Sequence, residues 1–313
     1  MKSVFFTLFF LPLIVFSQND FPKKIYLDSL WKETTAGNHK YYRIVESFDS
    51  EKKLYKIKDY YKSGVLQMVG HSKTEKDTIF SREGEFIFYY ENGNKQRISN
   101  YYNSHLLGKD EQWYENGTKQ SEWEYFEYNK NIPIPCKLNQ YWNPDGKQTV
   151  INGNGHFEDS SEDYSDSGNI KNGLKEGTWK GIYNKKNKYT EVYKKGILIS
   201  GVSTDGERNE YKYNELETMP KPKEGIQNFY QYIGKNFNVP KEFENLKGRI
   251  FTTFIVDKDG QIVEPKTVKS VNEVLDQEAI RVITSYEKWI PAKQRGQYVR
   301  VLYSIPITLA GNK

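Results

Sequence analysis

Cysteine is almost missing: Cys136 is the single one in 313 residues. No disulfide can close within the chain, and no cysteine-rich zinc site can form. Cys136 therefore reads as a small apolar strand residue, the alternatives being an intermolecular bridge or a reactive thiol. Histidine is scarce too. His39, His71, His105 and His156 are scattered, without the spacing that brings metal ligands together. There is no Gly-x-Ser-x-Gly elbow, no phosphate-cradling glycine loop and no His-Glu-x-x-His helix. With no acid, base or nucleophile set, the sequence predicts a protein that is not an enzyme and needs no metal or cofactor. Aliphatic residues are few, since hydrophobic residues make up 36% and mean hydropathy is −0.83. That excludes a thick Leu/Val/Ile core. A strong charge of one sign is also lacking: 46 Lys and Arg face 41 Asp and Glu, a formal net charge of +5. The surplus lies in residues 219–313 and reads as a solvated surface, because no nucleic-acid docking element accompanies it.

Long apolar runs are absent as well, save one. Lys2 precedes Val4–Phe16, which is too short to cross a bilayer as a helix. Val15-Phe16-Ser17 then suits cleavage before Gln18, so residues 1–17 are expected to be a secretory signal. No cysteine follows to carry a lipid anchor. The mature chain is expected in the periplasm without a transmembrane span.

What the sequence has in quantity is aromatic residues: 25 Tyr, 17 Phe and 6 Trp. Many rings with few aliphatics suit sheets with one packed and one wet face. Four phrases repeat: Tyr60-Tyr61-Lys62-Ser63-Gly64, Tyr89-Tyr90-Glu91-Asn92-Gly93, Trp113-Tyr114-Glu115-Asn116-Gly117 and Tyr141-Trp142-Asn143-Pro144-Asp145-Gly146. The last has one extra residue before its glycine. A weaker copy, Tyr193-Lys194-Lys195-Gly196, follows two periods on, with room for a degenerate unit between. Asn-Gly and Asp-Gly predict two-residue turns in which both positions accept φ > 0. Alternating stretches such as Thr118–Tyr125 lead away from the turns. One hairpin is marginal alone, so neighbours must stack. The expected architecture is a β-rich hairpin-repeat array over residues 55–217, after a lead-in at 18–54. Lys175-Glu176-Gly177-Thr178-Trp179 and the Tyr-Glu-Asn-Gly phrases resemble MORN-type repeats of the YwqK-like variant, over roughly residues 55–205. That resemblance implies a scaffold or binding surface.

Within the array, the acidic stretch 157–167 lacks the glycine-pivoted spacing of a calcium loop and reads as a solvated loop. Thr218-Met219-Pro220-Lys221-Pro222-Lys223 reads as a short linker. Beyond it the periodicity changes. Ile226, Phe229, Tyr230 and Ile233 share one helical face. Gly248–Val256 and Gln261–Val268 read as strands joined by a turn at Asp257-Lys258-Asp259-Gly260. Leu275, Ala279, Val282, Ile283 and Tyr286 stripe a second helix, which Asn272 or Asp276 can cap. Val299–Leu309 alternates through a long last strand. Residues 218–313 thus predict an α+β domain, an antiparallel sheet with helices on one face. Trp289 is expected as a buried anchor, with a ligand platform as the alternative.

This region resembles the TonB C-terminal domain. The matching residues are Asn236 and Pro240, then Gly248-Arg249-Ile250, Val256–Ile262, Leu275–Ala279 with Arg281-Val282-Ile283, and Trp289-Ile290-Pro291-Ala292. Gly296, Val299 and Pro306-Ile307 complete the set. The resemblance implies a periplasmic module that grips the TonB box of an outer-membrane receptor by strand addition. A TonB energy transducer, however, has an uncleaved membrane helix and a long proline-rich linker. Here a signal peptide and a β-array stand in their places, so receptor binding is what the resemblance carries over. Independently, an open sheet edge offers free N–H and C=O groups to an extended peptide. The candidate edge is Val299, Arg300, Val301, Leu302, Tyr303, Ser304, Ile305 and Pro306, with Pro306 marking the side that lacks a full ladder. The expected partner is a protein or peptide, and nucleic acid is not expected. Two functions follow: a TonB-like strand-addition protein linked to transmembrane transport, or a structural, antitoxin-like or assembly scaffold working through its aromatic array.

Overall fold

The computed structural model describes residues 22–74, 81–127, 136–286 and 289–311. The expected signal at residues 1–17 lies outside them. The chain forms two compact units, Met1–Gln148 and Thr149–Lys313.

In the first unit nine strands each pair antiparallel with the next. They are β1 (Lys23–Leu27), β2 (Tyr41–Asp49), β3 (Leu54–Tyr61), β4 (Leu66–Ser72), β5 (Arg82–Tyr89), β6 (Lys95–Tyr102), β7 (His105–Trp113), β8 (Lys119–Tyr125) and β9 (Cys136–Trp142). The lead-in thus supplies the first two strands. Alternation sends Val45, Ile57, Met68 and Phe86 to one buried cluster with Ile25, Leu27 and Tyr101. Cys136 is half-buried, and burial raises its thiol pKa, which disfavours the reactive thiolate.

The four aromatic phrases do close hairpins, but through a different turn from the one expected. In the first, the Gly64 amide donates to the Tyr61 carbonyl at 2.9 Å, and the Tyr61 amide donates to the Val65 carbonyl at 2.9 Å. Gly93, Gly117 and Gly146 repeat the pattern, and in each turn the glycine takes the positive φ, +79 to +89. This is a type I turn followed by a left-handed glycine. Asparagine is there for another reason: Asn92 Oδ1 accepts from the Asn94 amide and Asn116 Oδ1 from the Thr118 amide, each at 2.9 Å. The tyrosine that starts each of the first three turns also bonds the next repeat. Tyr61, Tyr90 and Tyr114 hydroxyls donate to the Tyr89, Trp113 and Trp142 carbonyls at 2.8, 2.8 and 2.9 Å. These rungs align Trp142 with Trp113, so the fourth phrase has no inserted residue; Tyr141 belongs one position further back along its strand.

The second unit carries β10 (Gln148–Ile151), β11 (Asn154–Ser160), β12 (Ser165–Lys171), β13 (Leu174–Tyr183), β14 (Asn187–Lys194), β15 (Ile197–Thr204) and β16 (Glu210–Tyr213), again paired in order. Two-residue turns with both φ positive occur here, at Asn152-Gly153, Asn172-Gly173 and Lys195-Gly196. The acidic stretch expected as a solvated loop is instead most of the β11–β12 hairpin, because Asp166 points inward to Lys175 Nζ at 2.8 Å. Glycines in this unit seat aromatic rings. Gly168 pairs with Trp179, Gly181 with Tyr189 and Gly201 with Tyr213. A Cβ on Gly168 or Gly201 would meet the opposing ring at 2.3 Å, so each ring lies flat over its partner's backbone.

Residues expected as a linker are paired as well: β17 (Glu217–Thr218) with β22 (Ala292–Gln294), and β18 (Lys221–Pro222) with β21 (Trp289–Ile290). Pro222 is buried. Then follow α1 (Ile226–Asn236), β19 (Gly248–Val256), β20 (Ile262–Lys269), α2 (Glu273–Thr284), β23 (Gln297–Val299) and β24 (Val301–Leu309). Asn272 caps α2, its Oδ1 accepting from the Val274 amide at 2.9 Å. The sheet order is β20-β19-β24. Ile250, Phe254 and Val256 of β19 share one core with Ile305 and Ile307 of β24, Phe229 of α1 and Leu275 and Val282 of α2. Alternation puts these strand residues on one face, so both helices cover that face. Trp289 is 3% exposed inside this core, which makes it the anchor and not a platform.

Candidate functional site

A three-stranded sheet has two outer strands, and sequence makes them unlike. On β20, Glu264 adopts φ +52 and Pro265 follows it. The β19–β20 register slips twice, and Glu264 and Pro265 fall between the paired residues Val263 and Lys266. Bulges and proline on an outer strand twist it away from further pairing. On the other side, β24 pairs with β19 through nine consecutive residues, Gly248↔Leu309 to Val256↔Val301, without a slip. Among the described residues its outer side carries no strand in the sheet. The regular outer edge of the C-terminal sheet is therefore β24.

The structure divides the sequence-predicted edge residues among three settings. Val299 lies in β23 and pairs with Ala292. Arg300 sits between strands, its Nη2 donating to Glu264 Oε1 at 2.6 Å, with Asp257 Oδ1 at 3.7 Å from Nε. The hydrogen bond to Glu264 raises the Arg300 pKa further, so the guanidinium stays charged. Val301, Leu302, Tyr303, Ser304, Ile305 and Pro306 form β24 itself. Alternation turns Ile305 into the core and stacks Tyr303 against Phe254 at 5.6 Å between ring centroids. Leu302, Ser304 and Pro306 face solvent, with Leu302 68% exposed. A recess of about 440 Å³ lies at the end of β24, lined by Ile233, Phe237, Phe243, Leu246, Ile307 and Leu309 among others.

Sequence reasoning passed over a second assembly entirely. Glu191 on β14 is completely buried. Its Oε1 accepts from Arg295 Nε and from the Tyr213 hydroxyl, both at 2.7 Å, and its Oε2 from the Tyr193 hydroxyl at 2.8 Å. The Arg295 guanidinium lies over the Tyr189 ring at 4.2 Å and the Tyr183 ring at 4.9 Å. Burial, then the Glu191 carboxylate, pushes the Tyr193 and Tyr213 hydroxyls far up, so they stay protonated as donors. The available signal was slight: arginine before glycine, in a position where turns favour asparagine or aspartate.

Among the described residues no group of three or more His, Cys, Asp and Glu is placed to hold a metal ion, and no helix is long and apolar enough to cross a membrane. No curated protein matches the chain. One family does: the Gram-negative bacterial TonB protein C-terminal model matches residues 243–308. The match runs from before β19 through β24, so the second unit carries a TonB C-terminal domain and the outer strand β24 lies within it.

Proposed function

We propose that this is an exported, non-enzymatic envelope protein that binds an extended partner segment by adding it as a strand to β24. The observation that carries this is the asymmetry of the two outer strands, β20 bulged at Glu264-Pro265 and β24 regular. Pro306 supports the direction. It has no N–H to give a neighbour, and Leu302, Ser304 and Thr308 share its parity, so their N–H and C=O groups are the ones aimed outward. Backbone pairing is blind to sequence, so selectivity has to come from side chains beside the edge, Leu302 and the recess at the end of β24. The TonB C-terminal match makes the TonB box of an outer-membrane receptor the natural segment, and a role in TonB-dependent transport follows.

The test is amide NMR of the isotope-labelled full chain during titration with TonB-box-like peptides. Shifts clustered on residues 301–308 are expected. Leu302→Pro or Ser304→Pro removes one outward N–H, worth about 0.5–1.5 kcal/mol, a several-fold to roughly tenfold loss of affinity. Absent or scattered shifts at about 10 mM peptide, where even millimolar binding would show, would sink the proposal.

A second reading has one observation in its favour. The first unit holds a recess of about 840 Å³ whose lining includes Arg82, Tyr101, Tyr102, Leu107 and Phe126. Tyr102 is 55% and Phe126 42% exposed. On that reading the array is a MORN-type scaffold and its aromatic recess the working surface. Peptide-induced shifts at those residues instead of β24 would select it.

A further inference from the structure

Among the described residues, the repeat strands bury four carboxylates: Asp59, Asp110, Asp166 and Glu191. A buried carboxylate is costly unless a cation and hydrogen-bond donors meet it. Three are met from neighbouring strands of the lead-in and the repeats. Arg43 Nε reaches Asp59 at 2.7 Å, Arg97 Nε reaches Asp110 at 2.6 Å and Lys175 Nζ reaches Asp166 at 2.8 Å. Glu191 is different, because its cation, Arg295, arrives from the TonB C-terminal domain more than a hundred residues later.

Everything about Arg295 suits that arrival. It occupies the first position of the β22–β23 turn at φ +48, a conformation that costs a long side chain and favours asparagine or glycine. Backbone preference therefore does not explain an arginine here; what the side chain touches does. The turn is seated by its main chain too. The Arg295 amide donates to the Leu216 carbonyl at 2.7 Å, and the Arg295 carbonyl accepts from the Ser203 hydroxyl at 2.7 Å. Gln297 Nε2 reaches the same hydroxyl at 3.1 Å. A Cβ on Gly296 would stand 3.0 Å from Tyr211 Cβ and 3.2 Å from the Lys212 carbonyl oxygen, so the turn lies close against β16.

The receiving side is built from the repeats alone. Gly181 and Gly201 leave room for the Tyr189 and Tyr213 rings. Tyr189 and Tyr183 give the guanidinium two ring faces, Glu191 gives it an anion, and Tyr193 and Tyr213 hold that carboxylate in place. A planar, weakly hydrated cation that both stacks and hydrogen-bonds is what such a cage selects; an ammonium satisfies the charge and forfeits the stacking. We propose that the last hairpins of the array form a guanidinium-binding site, and that its resident ligand is Arg295 of the chain's own TonB C-terminal domain. The consequence is mechanical. The domain is docked on the array at its 292–299 hairpin, immediately before β24, and the outer edge is presented from a fixed base.

The site is tested by emptying it and refilling it in the full chain. Arg295→Ala leaves Glu191 buried without its cation, and the melting midpoint should fall by about 6–15 °C. Ethylguanidinium at about ten times its Kd should then raise the midpoint of the variant by about 3–5 °C. It should do nothing comparable for the wild type or for Arg295→Ala/Glu191→Gln, and ethylammonium should restore far less. Equal rescue by both cations, equal rescue of the double variant, or no loss in Arg295→Ala overturns the proposal. Should Arg295→Ala fail to fold, Arg295→Lys and Glu191→Gln decide, since each keeps most of the side chain's bulk: both should melt at least about 4 °C lower, and unchanged melting of either one refutes a guanidinium site.

Discussion

Replacing Trp289 tests how the C-terminal domain is held together. The indole is 3% exposed and meets Phe229, Phe254 and Tyr303 edge-on, with centroids 5.2, 5.5 and 4.8 Å away. A buried ring of this kind removes about 150–250 Å² from water, which at about 25 cal/mol per Å² gives about 4–6 kcal/mol. A denatured chain already hides part of that area, so the loss on truncation is smaller, about 3–5 kcal/mol, with the cavity included. The backbone adds a constraint. The Trp289 amide donates to the Gly260 carbonyl at 2.8 Å, and a Cβ on Gly260 would lie 2.0 Å from the Trp289 carbonyl oxygen. The site has little freedom to collapse, which keeps the cost of Trp289→Ala towards the upper end. Trp289→Phe separates two effects. Among the described residues Nε1 has no hydrogen-bond partner, and an orphaned buried donor costs about 1–3 kcal/mol. Phenylalanine removes that donor and keeps a ring on its three neighbours, so it should cost at least about 2 kcal/mol less than alanine. Urea unfolding of the full chain, followed by fluorescence and circular dichroism, gives both differences. A loss below about 1 kcal/mol for Trp289→Ala, against the usual 3–5, would refute the packing argument.

Three further outcomes are expected. Gly168→Ala puts a methyl group 2.3 Å from the Trp179 ring and should destabilise the second unit by about 1–3 kcal/mol, read as a lower melting temperature. Tyr61→Phe, Tyr90→Phe and Tyr114→Phe each delete one rung between neighbouring turns; each should cost about 0.5–1.5 kcal/mol in denaturant titration, and the three should nearly add. Hydrogen bonds from Asn209, with those from Tyr211 and the Glu207 amide, hold the Asp205 carboxyl down at about 2. The stability it contributes is thus complete above the ordinary carboxylate pKa near 4 and lost as pH falls through about 2, and carboxyl NMR should find Asp205 still ionised at about pH 3.

Periodicity and turn residues made most of the architecture readable. Strands that alternate and helices that stripe announce themselves, and Asn272 capped the helix whose start it marked. The misreadings share a physical cause. The acidic β11–β12 hairpin looked solvated because sequence does not show that Lys175 and Tyr189 turn inward to Asp166. The stretch around Pro220 and Pro222 looked like a linker because proline is a local signal, whereas its pairing partners lie some seventy residues on, at Trp289–Gln294. In the aromatic phrases Asn-Gly suggested the wrong turn type because asparagine serves two purposes, left-handed backbone, as at Asn152 and Asn172, and side-chain bonding to the chain ahead, as at Asn92 and Asn116. The Glu191–Arg295 pair spans 104 residues, and no local pattern encodes it.

The same edge that makes β24 available also limits what it can do. An open regular edge is a hazard for self-association, and here it is short. Leu302, Ser304 and Thr308 present both an N–H and a C=O outward on this reading, while Pro306 presents a carbonyl alone. Seven such hydrogen bonds at about 0.5–1.5 kcal/mol each give about 3.5–10.5 kcal/mol, against an association cost of about 4–15 kcal/mol. At the centre of both ranges backbone pairing alone still falls short of useful affinity, for a peptide as for a second copy of β24. A segment that also buries a side chain on Leu302, or in the recess beside Phe237 and Leu309, crosses that threshold. Proline at 306 is thus consistent with an edge that is closed to itself and open to a partner carrying the right apolar residue. Pro306→Thr, by restoring an outward N–H and lengthening the regular edge, should raise affinity for peptide and self-association together; a rise in neither would mean that the edge is not the contact.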